Sequence, residues 1–332
     1  MIVERILFVL LAILGVLAPF TGIYALFLMK CMAFGIFAVA FNFFTGYIGL
    51  LSIGHAAFFG MGAYFSGYAI KNWGVTAEIA LLLGMLLAAA LGWIFGKIAI
   101  RRRGIYFAMI TLALAQMVYF FCVQAPFTGA EDGLQRIPRG KLFGIIDLNN
   151  EFVMYYFIFV LLIATIWFVR YLISSPFGQV LKAIRDNESR AISLGYDVQH
   201  YKLIAFVISA ALAGLAGGLK AMTLSLAALN DVHWKMSGEV ILMCLLGGLG
   251  TAIGPVVGAV VVVLLQTELA GVGVVSLGPI SFDLSTKIPI LIGVIFMLCV
   301  LLFRKGIVGE VMHYFEIQPR TQVHPPFDEK TT

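Results

Sequence analysis

Apolar runs of the ~20 residues that a helix needs to cross a hydrocarbon core recur along this chain. They fall near residues 6–24, 26–45, 51–70, 77–98, 104–124 and 152–172. Polar residues then gather in one stretch, Ser174 to Tyr201, and apolar runs resume near 203–222, 239–250, 254–268 and 287–303. Reading 239–268 as two short segments that turn at GGLGTAIGP, rather than as one helix, gives about ten crossings. Residues 239–250 are short for a full span, so a re-entrant or broken helix fits there. The pattern predicts an all-α, polytopic membrane protein, with a transmembrane domain over residues 1–303 and a polar tail over 304–332. Pro319, Pro325 and Pro326 make that tail disordered or loosely docked.

The long polar stretch has its own periodicity. Pro176 suits a helix start and Gly195 a stop. At 3.6 residues per turn Phe177, Val180, Leu181, Ile184 and Ala191 share one face, while Lys182, Arg185, Asp186 and Ser189 share the other. Such an amphipathic helix rests on lipid headgroups or seats in a groove on a partner. Asp186 and Glu188 among the basic residues favour the partner.

Small and polar residues interrupt the apolar pattern at two places. GYIGLLSIGHAAFFGMGAY (46–64) carries five glycines, Ser52 and His55, and Gly250, Gly254 and Gly258 recur every four residues in the second half. Helices in lipid associate through close packing of small residues and interhelical hydrogen bonds. Gly54, Gly60, Gly254 and Gly258 are therefore expected at close backbone approaches, where leucine is damaging and alanine milder. IGHAAFFG (53–60) and IGPVVG (253–258) resemble each other across the polar loop, as duplicated, Gly-interrupted segments around a transport path do. His55, Ser52, Asn42, Thr111 and Gln116 are polar at membrane depth. Each serves as a hydrogen bond between helices or as lining of a translocation path.

Composition and charge fix the class. Of 332 residues 61% are hydrophobic and 12% charged, about half the charged fraction of a soluble domain. The net charge of +5 comes from loop residues and reads as topology, not as nucleic-acid binding. Arg170, Lys182, Arg185, Arg190 and Lys202 place the polar stretch in the cytoplasm, with Arg101, Arg102 and Arg103 on the same side. Counting spans from there puts both termini inside. The apolar start, lacking an A-x-A-like cleavage site, reads as a first membrane helix and not a signal peptide.

Several chemistries lack their residues. Cys31, Cys122, Cys244 and Cys299 lie in apolar runs without metal-ligand spacing and read as packing residues. No phosphate-binding G-x-x-x-x-G-K-[ST] loop occurs; the nearest string, from Gly92 to Lys97, is one residue short and lacks the hydroxyl. No H-E-x-x-H or G-x-S-x-G appears, and no cofactor is implied. Three classes remain: a permease driven by a separate ATPase, a stand-alone secondary transporter or channel, and a membrane anchor. No Asp or Glu lies well inside a predicted span, which disfavours ion-coupled transport.

The run SPFGQVLKAIRDNESRAISLGYDVQHYKLIAFVISAALAGLAGG resembles the coupling loop and following helix of permease subunits in branched-chain amino acid ABC importers. So do GYIGLLSIGHAAFFGMGAY, RRRGIYFAMITLALAQM with the later TGAEDGLQ, and GGLGTAIGPVVGA. The resemblance, from about Phe41 to Phe303, implies a type II importer-like helical fold in a bacterial inner membrane and alternating access. It also implies a second permease subunit, two cytoplasmic ABC ATPases and a periplasmic amino-acid-binding protein. Ala183, Arg185, Glu188, Ala191, Leu194 and Gly195 match the segment that docks on the ATPase, with Asp186 beside them; the E-A-A start seen in other importer families is missing. Branched-chain or related small neutral amino acids are the implied cargo, with urea or short amides as the alternative within the family.

Overall fold

The computed structural model describes residues 2–271, 274–277, 280–283, 293–294, 297 and 306–310. The chain is a helical bundle. Its helices are α1 (Ile2–Leu17), α2 (Ala25–Ile48), α3 (His55–Trp73), α4 (Ala77–Ala99), α5 (Ile105–Gln124) and α6 (Glu151–Ser174). They continue with α7 (Pro176–Asp186), α8 (Glu188–Ser193), α9 (Val198–Leu224), α10 (Trp234–Gly247) and α11 (Gly254–Gly271). Five of the described helices, α2, α4, α5, α6 and α9, are long and apolar enough to cross a membrane. Strands are confined to short antiparallel pairs. One of them joins Leu134–Gln135, after α5, to Leu226–Ala227, after α9.

The predicted spans emerge as helices up to residue 271, and the 239–268 stretch turns between two helices as expected. Two details differ. The amphipathic helix expected over 177–194 is two helices, because Asn187 leaves helical geometry (φ −159°, ψ 99°) and its side chain caps α8 by accepting from the Arg190 N–H. α10 begins at Trp234, so Glu239 lies inside it rather than at its edge, half-buried, hydrogen-bonded by Gln266 of α11 and within electrostatic reach of Lys30. Intramembrane carboxylates persist when partnered in this way. At the start of the expected tail, within the disordered-or-docked alternatives, Val308 is buried and Gly306 lies against Gly248. The predicted span at 287–303 and the tail beyond residue 310 fall outside the described residues, the few at 293–294 and 297 excepted.

α9 is the hub, packed against α2, α3 and α4. It can be so because Ala210, Ala213, Gly214, Ala216, Gly217 and Gly218 are all buried along it. A Cβ at Gly217 would collide with the Phe59 carbonyl of α3, and one at Gly214 with the Ala88 side chain of α4. Backbone thus approaches backbone, which supplies the dispersion contact that holds helices together in lipid.

At the end of α9 remote from α7, Lys220 donates to Asp231 Oδ2 at 2.6 Å, both side chains nearly inaccessible. Asp231 Oδ2 also accepts from the Ala228 N–H at 2.9 Å. The pair pins the 225–231 connection onto α9. Removing one partner of a buried pair leaves an uncompensated charge and costs about 3–5 kcal/mol, whereas replacing both by apolar groups is close to neutral. Lys220→Met is therefore expected to lower the thermal midpoint of the purified protein sharply, and Lys220→Met with Asp231→Leu to restore most of it. A double variant as unstable as the single would contradict this.

Candidate functional site

Two breaks in the bundle share one local plan. α2 ends at Ile48, capped by Gly49 at φ +80° with its N–H on the Thr45 carbonyl, and an irregular stretch leads to α3 at His55. α10 ends at Gly247, and an irregular stretch leads to α11 at Gly254. In each, a hydroxyl accepts from the glycine that opens the next helix: Ser52 Oγ from the Gly54 N–H at 3.3 Å, Thr251 Oγ1 from the Gly254 N–H at 3.1 Å. The resemblance between 53–60 and 253–258 is thus local geometry as well as sequence.

The backbone groups freed at the first break find partners on other helices. Thr111 Oγ1 of α5 accepts from the Ile53 N–H at 3.2 Å and donates to the Ala108 carbonyl at 2.9 Å. Ser237 Oγ of α10 accepts from the Ala56 N–H at 2.9 Å. His55 Nε2 meets Ser209 Oγ of α9 at 2.9 Å, and Ser209 in turn donates to the Ala40 carbonyl of α2 at 2.6 Å. Since the serine proton is spent on Ala40, Nε2 is the donor to Ser209. His55 is fully buried, edge-on to Phe41, Phe58 and Phe206. Its position is that of a peg between α2, α3 and α9, with no opening onto a path in this conformation.

The second break is bound to α2. Asn42 Nδ2 donates to the Thr251 carbonyl at 2.8 Å, and Asn42 Oδ1 accepts from the Gly250 N–H at 2.9 Å. One turn further along α2, the Gly46 carbonyl accepts from Arg185 Nη1 of α7. Gly46 is where these elements converge: a Cβ there would strike Asn42 Oδ1 and lie 2.8 Å from the Gly250 nitrogen. Gly54, Gly60, Gly254 and Gly258 are also close approaches, to Thr111, Val232, Gly247 and Met243. Backbone atoms are among the contacts at each of the four, so even an alanine Cβ is crowded there.

The α7–α8 element is held from inside and bare outside. Val180, Leu181, Ile184 and Ala191 are buried, and Phe177 stacks on Tyr201 at 5.6 Å. Glu188 takes Lys202 of α9 at 2.7 Å and Arg103 of the α4–α5 connection at 3.1 Å. Arg185, Glu188 and Ala191 thus anchor the element to its own bundle. Ala183, Asp186, Leu194 and Gly195 face outward with Ile192 and Tyr196. Leu194 is 69% exposed and Ile192 51%, an apolar tip on an otherwise polar end. Gly195, at φ +86°, ends the element as expected.

The remaining predicted residues separate. Asn42, Ser52 and Thr111 are satisfied between elements, whereas the Gln116 side chain, midway along α5 and half-buried, has no hydrogen-bond partner among the described residues. Cys31, Cys122 and Cys244 are buried, Cys244 donating to the Ala38 carbonyl at 3.2 Å. Sequence reasoning missed Ser209, Ser237 and Thr251, and it gave Gly46 and Lys202 no partner. A single serine in an apolar helix carries no signal until its partner is known.

Residues 23–304 match the family described as branched-chain amino acid transport system, permease component. The chain belongs to this family. This permease is 28% identical over 255 residues to the high-affinity branched-chain amino acid transport system permease protein LivM of Escherichia coli K12, covering 70% of this chain and 60% of that one. A probable branched-chain amino acid permease LivM of Methanocaldococcus jannaschii is 28% identical over 206 residues, 57% of this chain and 56% of that one. The autoinducer 2 import system permease LsrC of Photorhabdus laumondii is 26% identical over 218 residues, 63% and 62% of the two chains. The match spans about three fifths of the length of these relatives. No solved structure matches the chain.

Because Asn42 and the Gly250 nitrogen crowd Gly46, and backbone atoms of Met243 and Gly247 crowd Gly258, an added methyl overpacks both sites at ~1–3 kcal/mol. Gly46→Ala and Gly258→Ala are expected to cut the yield of monodisperse purified permease several-fold, as leucine would. Gly238→Ala, where a Cβ meets nothing within 4 Å, is the control at wild-type yield. Wild-type yield and melting of Gly258→Ala would remove the close-approach account.

Proposed function

We propose that this permease is a membrane-spanning subunit of an ATP-driven importer that moves branched-chain or related small neutral amino acids into the cytoplasm by alternating access. It pairs with a second permease, with two ATPase chains at the α7–α8 end, and with a periplasmic amino-acid-binding protein at the other. The membrane is a bacterial inner membrane, with the α7–α8 end cytoplasmic. The observation that carries the reading is the two-sided α7–α8 element. Buried residues and the Arg185 and Glu188 bonds tie it to three parts of the bundle, while Ile192 and Leu194 stand exposed for a partner.

A helix that only rested on lipid would need no such internal ties, and a passive channel would need no docking tip. Residues 304–332 are assigned to a polar tail on the same side. Cargo is carried as a neutral zwitterion past weakly interacting groups. Gln116, a half-buried amide without a partner at mid-helix, lines that path and would otherwise be a polar group left in hydrocarbon at a cost of several kcal/mol.

The test is uptake of labelled leucine, isoleucine and valine by a deletion strain complemented with variants. Leu194→Glu with Ile192→Glu is expected to abolish uptake and co-purification of the ATPase chains while the permease still reaches the membrane. Arg185→Gln with Glu188→Gln should keep the ATPases bound yet lose uptake. Normal uptake in both would contradict the coupling role. Uptake unaffected by the deletion for all three amino acids, but lost for urea or a short amide, would contradict the cargo.

A further inference from the structure

A groove of about 1080 Å³ opens between α1, the last two turns of α6, α7 and the turn after α10. Its two walls differ in kind. Phe8 and Val9 of α1 and Trp167 and Tyr171 of α6 give an apolar, aromatic wall, with Trp167 64% and Tyr171 63% exposed. Arg170, Lys182 and Arg185 give a basic wall, with Asp186 as the acidic residue of the described lining. The Arg170 guanidinium sits 5.7 Å from the Phe8 ring centre. Lys182 is half-buried and has no ion-pair or hydrogen-bond partner among the described residues.

From Trp167 to Ser174, α6 rises by about 10 Å. That length is enough to cross the ~5–7 Å headgroup layer. Exposed Trp and Tyr stacked on each other, as Trp167 and Tyr171 are at 6.0 Å, mark the interface on a membrane protein. A basic pocket between helices at this level matches an anionic headgroup, with acyl chains along the aromatic wall.

We propose that this groove binds one anionic phospholipid, its phosphate on Lys182 with Arg170 and Arg185 beside it, and its acyl chains against Trp167, Tyr171 and Val9. The occupant is a lipid and not a soluble anion because the exposed apolar wall has no counterpart on a free phosphate. The groove shares Arg185 with the α7–Gly46 contact, so the lipid touches the element that also holds α2. This assignment is independent of the ATPase-docking reading, since it concerns the membrane-facing flank of α7 and not its tip.

The test uses the full-length chain with Trp73, Trp93 and Trp234 changed to Phe, leaving Trp167 as the fluorophore, in phosphatidylcholine nanodiscs. Brominated phosphatidylglycerol is expected to quench Trp167 at several-fold lower mole fraction than brominated phosphatidylcholine, and Lys182→Gln should erase that preference. Native mass spectrometry of the wild-type sequence gives the parallel readout if the triple variant folds poorly. Phosphatidylglycerol should stay bound to wild type and be lost from Lys182→Gln. Equal quenching by the two lipids would overturn the proposal, as would a preference that survives Lys182→Gln. Displacement by millimolar inorganic phosphate would put a soluble anion there. Absence of quenching by either lipid would mean that protein, from this chain or a partner, covers the groove.

Discussion

A backbone break inside a membrane bundle frees N–H and C=O groups that lipid cannot satisfy, and each must find a partner in the protein. The helices around residues 49–54 and 248–253 are arranged to supply those partners. Ser52, Thr111 and Ser237 serve the first break; Asn42 and Thr251 serve the second. Glycines at 46, 54, 254 and 258 bring the elements close enough for those bonds to form. Remove the bonds and the breaks lose their reason to stay irregular; remove the close approaches and the donors no longer reach.

The same bonds join the breaks to the end of the bundle that carries α7 and α8. Asn42 holds the second break to α2, and Arg185 holds α7 to α2 one turn away. Glu188 extends the connection to α9 and to the α4–α5 connection. Packing between these elements is discrete, because backbone atoms in contact cannot slide by fractions of an ångström without losing their partners. These bonds join α7 and α8 to α2, to the second break and to α9. That is the property a permease needs if its helices are to rearrange as a unit.

Much of this was legible in the sequence, and the limits have physical causes. The apolar periods located the helices because lipid imposes length and composition, and the turn at GGLGTAIGP was legible from its glycines and proline. The amphipathic period of 177–194 located the α7–α8 element and its buried face. Asn187 interrupted it unseen, since a capping asparagine and a solvent-facing one look alike in a polar loop. Arg185 and Glu188 were identified, but not that they point inward, because a charge on a helix face does not name its partner. Ser209 and Ser237 were invisible for the same reason. How tightly the glycines are hemmed in was not legible, because it depends on backbone atoms of other helices, which cannot step aside as side chains do. Glu239 was placed at a helix edge by hydropathy alone, while Gln266 and Lys30 allow the helix to start earlier and take the carboxylate in.

Held through Asn42, Gly46 and Arg185, α7 and the turn between α10 and α11 are expected to move as one body. Site-specific spin labels at Gln179 and Ala252 in the assembled transporter, with a second pair at Gln179 and Ile79 on α4, test it most directly. Cycling between nucleotide-free and ATP-trapped states should leave the first distance unchanged while the second shifts, and Arg185→Gln should release the first distance to vary. A first distance that changes as much as the second in the unaltered protein would contradict the account.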